Sequence, residues 1–128
     1  MPSYTTADIR NIALVGHAGS GKTSLLEALL QEAGALHQKG LIEAGTTVSD
    51  FTDEEKKTGY SIFSAFAHCA YANRLLNFVD TPGYSDFIGQ SLSVLPAVET
   101  AMVVISASAG IEPVSRRMME RIKEAGLA

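Results

Sequence analysis

Asn11-Ile12-Ala13-Leu14-Val15-Gly16-His17-Ala18-Gly19-Ser20-Gly21-Lys22-Thr23-Ser24-Leu25-Leu26-Glu27-Ala28-Leu29-Leu30 is the stretch that decides how this 128-residue chain folds. Residues 11–15 are a short apolar run of strand type, and residues 24–30 are good helix formers. Between them, residues 16–23 fit G-x-x-x-x-G-K-[ST], a loop that cradles nucleotide phosphates when a strand precedes it and a helix follows. Glycines let the backbone wrap closely with N–H groups turned inward, and the helix N-terminus adds partial positive charge. Gly16, His17, Ala18, Gly19, Ser20, Gly21, Lys22, Thr23 and Ser24 are therefore the expected binding residues. Lys22 would reach the β- and γ-phosphates, and the Thr23 hydroxyl would ligate Mg²⁺.

Working outward, Arg74-Leu75-Leu76-Asn77-Phe78-Val79 reads as another strand, ending in Asp80-Thr81-Pro82-Gly83. A carboxylate at the tip of a neighbouring strand can hold Mg²⁺, commonly through a water. Gly83, without a Cβ, lets its N–H approach a γ-phosphate. Asp-x-x-Gly alone is a weak signal, since Pro-Gly turns close many strands. Its place after an apolar strand and downstream of the phosphate loop brings Asp80 and Gly83 into the site.

The remaining chain alternates. Residues 35–60 are mostly polar, a long connection of the kind that is usually functional. Residues 62–67, extending toward Tyr71, read as a strand, and Asn73 suits a tight hairpin into the strand at 74–79. A helix is expected from about residue 86 to 94, with Pro96 opposing its continuation. The apolar run at 101–105 suggests a buried parallel strand. Pro113 suits the first turn of a last helix, and Gly126 its C-cap. The order predicts one α/β domain, with helices on both faces of a mostly parallel sheet and one antiparallel edge strand. Ligand would bind at the carboxyl ends of the strands.

Composition narrows the classes. A net charge of −4 gives no basic footprint for DNA or other nucleic acid. No apolar run approaches the length of a membrane span, so no membrane partner is expected. The single Cys69 fits a small core residue in a reducing cytoplasm. His17, His37 and His68 form no metal-ligand pattern, and His17 reads as a plain loop residue. Asp50, Asp53, Glu54, Glu55, Lys56 and Lys57 read as a solvated charged stretch. Arg116, Arg117, Arg121 and Lys123 read as a solvated helix face.

From residue 10 to the end, the chain resembles the start of the GTP-binding domain of elongation factor G, within the translational GTPases. The resemblance rests on Asn11-Ile12-Ala13-Leu14-Val15-Gly16-His17 with Gly21-Lys22-Thr23, on Asp80-Thr81-Pro82-Gly83 with Asp86-Phe87, and on Ser106-Ala107-Ser108-Ala109-Gly110. Its details look most like the elongation factor G-like subgroup, sometimes labelled elongation factor G 2. The resemblance implies a phosphate-loop NTPase fold, GTP and GDP as ligands, Mg²⁺, Mg²⁺-dependent hydrolysis, a ribosomal partner and a cytoplasmic location. It implies Thr23, Ser61 and Asp80 as the Mg²⁺ set, and Lys22, Gly83 and Tyr84 around the reacting phosphate.

Three departures from the family stand out. The family's first switch loop reads Arg-Gly-Ile-Thr-Ile; here Thr58-Gly59-Tyr60-Ser61-Ile62 keeps the hydroxyl at Ser61 but loses a methyl group. The family's Asp-Thr-Pro-Gly-His carries a water-positioning histidine, and here the residue is Tyr84. A phenol with a pKa of about 10 is a poor general base at neutral pH, though it can orient a water. Finally, the guanine-reading Asn/Thr-Lys-x-Asp is absent from residues 1–128. The expectation is a partial GTP-binding domain ending before the guanine-specificity strand, with later strands and domains absent. Such a piece would leave the strand at 101–105 as an apolar edge, be poorly stable and bind nucleotide weakly. A GTP-held switch with negligible turnover, and an ATP-using phosphate-loop protein of another class, fit the same motifs.

Overall fold

Ala13, Leu14 and Val15 are wholly buried because their strand, β1 (Ile9–Val15), lies inside the sheet with neighbours on both sides. The computed structural model describes residues 3–49 and 52–128. Its sheet has the order β2-β3-β1-β4, with β2 (Ala65–Tyr71), β3 (Arg74–Asp80) and β4 (Thr100–Val103). β3 and β4 run parallel to β1, and β2 is the antiparallel edge. Ala72 and Asn73 both adopt positive φ, 47° and 61°, which suits the twist of a two-residue hairpin turn.

Side-chain alternation divides the core between the two faces of the sheet. Leu14 and Phe78 point to one face and pack with Leu26 and Leu30 of α1 (Lys22–Glu32) and with Cys69. Ala13, Val15 and Val79 point to the other face. There they meet Val94 of α3 (Ile88–Val94), Leu95, Val98, and Met118 and Ile122 of α4 (Pro113–Ala125). The expected three-layer α/β fold with one antiparallel edge strand is the observed one.

Two strand expectations change. The parallel strand expected at 101–105 forms as β4, but it lies at the sheet edge among the described residues and is not buried: Met102 within it is 37% exposed and Ile105 beyond it 40%. The Ala128 N–H donates to the Glu99 carbonyl and the Ala101 N–H to that of Ala128, so part of this edge is paired. The strand expected from residue 62 starts instead at Ala65. The reason is chemical: the Ile62 and Phe63 N–H groups donate to Glu55 Oε1 rather than to a neighbouring strand.

The connection at 35–60 contains a short helix, α2 (Asp53–Thr58), opened by a capping box between Thr52 and Glu55. Asp53, Glu54, Lys56 and Lys57 are exposed as expected, whereas Glu55 is fully buried, which corrects its reading as a solvated charge. Asp50 lies outside the described residues. Glu55 Oε2 accepts from the Thr52 N–H and hydroxyl at 3.1 and 2.8 Å, while Oε1 accepts from Ile62 and Phe63 at 2.9 and 3.1 Å. A second buried carboxylate, Glu27 of α1, accepts from the N–H groups of Gly40 and Val48 at 2.7 and 2.6 Å. Two carboxylates thus anchor a loop that has little apolar surface to bury.

Burial pushes the Glu55 carboxyl up, but hydrogen bonds from Phe63, Ile62 and Thr52 outweigh it and hold the group below its ordinary value of 4.5. A lowered folded-state value means that the anchoring is fully present above about pH 4.5 and is lost as pH falls through the lowered value. Amide shifts of Ile62 and Phe63, followed through an acid titration, are expected to move together with a midpoint below 4.5. Glu55→Gln removes the charge at any pH and is expected to speed exchange of both amides about tenfold or more.

Candidate functional site

The residues leaving β1 form a loop whose shape depends on two close backbone approaches. Gly16 has φ +146°, and a Cβ there would lie 2.3 Å from the Val104 carbonyl oxygen. Gly83, after β3, packs its backbone on the loop: a Cβ there would lie 2.5 Å from Ala18 N and 2.6 Å from Lys22 Nζ. Neither position can hold a side chain without moving backbone.

α1 begins at Lys22 and places Thr23 against the tip of β3, where the Thr23 hydroxyl donates to Asp80 Oδ2 at 2.6 Å. Thr23 and Asp80 are 8% and 1% exposed. Lys22 is 7% exposed, and its Nζ donates to the carbonyls of Gly16 and His17 at 3.0 and 2.9 Å. Burial holds the Lys22 ammonium below its ordinary range, partly opposed by the Asp80 carboxylate. The Ser20 hydroxyl is buried and has no hydrogen-bond partner among the described residues.

These elements enclose a pocket of about 180 Å³. One wall is Ala18, Gly19, Gly21, Lys22, Thr23 and Ser24; Gly16, His17 and Ser20 do not line it. A second is Gly59, Tyr60, Ser61 and Ile42, and a third is Thr81, Gly83 and Tyr84. The rings of Tyr60 and Tyr84 meet across the two loops, with centroids 4.6 Å apart and planes at 55°. A tilted pair of this kind contributes about 0.5–1.5 kcal/mol beyond its buried area. Asp80 does not line the pocket itself but is bonded to Thr23, which does. Gly16 lies behind it, at the close approach to Val104.

His17 departs from expectation. It is a buried residue, not a plain loop residue, and its N–H and ring turn toward Ser115 on α4. Sequence reasoning gave no role to Ser115, Glu27 or Tyr60.

The chemistry of the pocket suits phosphates and a hard cation. It offers a buried ammonium, a helix N-terminus, an unsatisfied serine hydroxyl inside the loop and a cradle that a Cβ would fill. Thr23, Asp80 and Ser61 supply only oxygen donors, the type that Mg²⁺ takes. Among the described residues there is no group of three or more His, Cys, Asp or Glu that could hold a metal.

Fold and site together define a phosphate-loop nucleotide-binding domain. The sequence profile of the elongation factor Tu GTP binding domain matches residues 7–128. An elongation factor G-like protein of Mycobacterium tuberculosis is 40% identical over 119 residues, covering 93% of this chain and 17% of that protein. Elongation factor G 2 of Streptomyces coelicolor is 35% identical over 119 residues, with the same coverage of 93% and 17%. A solved crystal structure from Thermus thermophilus superposes with a TM-score of 0.90 at 40% identity, covering 94% of this chain and 18% of that one. The chain belongs to the elongation factor Tu GTP-binding domain family. It spans about a sixth of the length of these relatives, 17% of each.

Proposed function

We propose that this chain binds GTP and GDP with Mg²⁺ and serves as part of the switch domain of an elongation factor G-like, ribosome-associated factor in the cytoplasm. The observation that carries the reading is the packing of Gly83 on the phosphate loop beside Lys22, with Thr23 bonded to Asp80 at the base of the same pocket. Two loops therefore meet at one phosphate-sized site, and a ligand there would hold both. Loss of its terminal phosphate would release them. Among the described residues no helix is long and apolar enough to cross a membrane.

Thr23, Ser61 and Asp80 would hold Mg²⁺, which when bound neutralises phosphate charge. Lys22 and the loop N–H groups would stabilise the charge on the transferred phosphoryl, and the Gly83 N–H would position it. Tyr84 would orient the attacking water through its hydroxyl. Direct binding assays with labelled GTP, GDP and ATP test the reading. Preference for ATP, or no binding to any of them, would remove it.

A second reading, a GTP-held switch with negligible turnover, is favoured by Tyr84 itself. Its ring is engaged with Tyr60. The two readings separate at Tyr84→His. If the tyrosine limits hydrolysis, single-turnover GTP cleavage in the presence of ribosomes is expected to rise about tenfold or more in the variant. An unchanged rate would show that position 84 is not limiting.

A further inference from the structure

His17 links the phosphate loop to the far side of the domain. Its backbone N–H donates to Ser115 Oγ at 3.1 Å, and its ring Nδ1 lies 3.1 Å from the same oxygen. Its carbonyl accepts from Lys22 Nζ at 2.9 Å. Ser115 is fully buried and His17 is 3% exposed. A hydroxyl has one proton to give and can accept as well. Both bonds form when Ser115 Oγ accepts from the His17 amide and donates its own proton to Nδ1, leaving the ring proton on Nε2. Such a bond chain, closed from water, costs most when one member is removed.

The chain has a direction. Ser115 is the third residue of α4, two positions after Pro113, which opens that helix. The His17 N–H and the Gly16 carbonyl belong to one trans peptide, so drawing the N–H toward Ser115 turns the Gly16 carbonyl the opposite way, where it accepts from Lys22 Nζ at 3.0 Å. The His17 carbonyl, in the next peptide, is the ammonium's other anchor. We infer that Ser115 is a positioning residue for the phosphate-binding lysine: through His17 it fixes where Lys22 Nζ rests, so that the first turn of α4 and the phosphate site move as one unit. The inference rests on the nucleotide reading of the pocket and adds to it a residue 98 positions from the loop it controls.

Ser115→Ala removes both bonds to His17 while leaving the pocket walls intact. Affinity for GTP and GDP is read with fluorescent analogues, beside the melting temperature and the ¹⁵N shifts of the His17 ring. Ser115→Ala is expected to weaken GTP binding about tenfold and to shift the ring nitrogens away from the Nε2–H form. Ser115→Thr, which keeps the hydroxyl, is expected to stay within about threefold of the unaltered protein. Ile122→Val serves as the control for a merely structural effect, since it loosens the packing of α4 without touching His17; it is expected to lower the melting temperature and leave affinity unchanged. The inference is overturned if Ser115→Ala binds GTP like the unaltered protein, or if Ile122→Val weakens binding equally. If the unaltered protein binds neither guanine nucleotide, the functional reading itself fails, and the inference falls with it.

Discussion

Lys22→Ala is expected to weaken GTP binding by about a hundredfold or more. The ammonium is nearly buried at the base of the pocket, where its bonds to phosphate oxygens would be charge-assisted and shielded from water. Hydrogen bonds of that kind are worth about 1.5–3 kcal/mol each, and two phosphates would share this one. Loss of the ammonium also removes the donor that now satisfies the Gly16 and His17 carbonyls. Titration with a fluorescent GTP analogue, with circular dichroism to check the fold, measures the effect. A variant that stays folded and binds within about threefold of the original would place the phosphates elsewhere.

Gly83→Ala is expected to act on the same contact from the opposite side. Its methyl carbon would sit 2.5 Å from Ala18 N, 2.5 Å from the His17 carbonyl carbon and 2.6 Å from Lys22 Nζ. The lysine tip can give way, but the two backbone atoms cannot, so the loop after β3 must lift off the phosphate loop. A misplacement of about 1 Å at a reacting centre costs on the order of a hundredfold in rate. Single-turnover GTP cleavage should therefore fall by about that factor. GDP affinity, which does not need a contact at the γ-phosphate, should change little. Equal losses for GTP and GDP would instead mean that the substitution damages the phosphate loop as a whole.

The parts of this site that are local in the chain were legible in the sequence. The phosphate loop shows itself because its glycines, lysine and threonine must stand at fixed offsets between a strand and a helix. The turn at Ala72 and Asn73, the helix opened by Pro113 and the αL residue Gly126 that ends it follow from short-range backbone chemistry in the same way. What sequence reasoning missed depends on partners distant in the chain. Glu55 sits in a run of charges and looks solvated, yet its partners include the amides of Ile62 and Phe63. One signal was available: Thr52-x-x-Glu55 has the spacing of a capping box. Glu27 could also have been marked, since it shares a helix face with Thr23, Leu26 and Leu30. Nothing near His17 announces Ser115, and nothing near Tyr60 announces Tyr84, because those contacts exist only once the sheet has formed.

The Tyr60–Tyr84 contact bears on how the two loops respond to a ligand. Each tyrosine stands where the resembled family has another residue type, and the pair meets over the pocket that Lys22 and Thr23 line. Opening either loop breaks the ring contact, so the two loops are coupled through it. The buried carboxylates Glu27 and Glu55 hold the first of these loops from behind. The site is thus framed by three supports of different chemistry: a glycine contact, an aromatic pair and two charged anchors.

Calorimetric titration of the protein with GTP, GDP and ATP in the presence of Mg²⁺ tests the central claim most directly. The account predicts saturable binding of GTP and GDP, and loss of the signal in Lys22→Ala. Binding of ATP in preference to GTP, or guanine-nucleotide binding that survives Lys22→Ala unchanged, would contradict it.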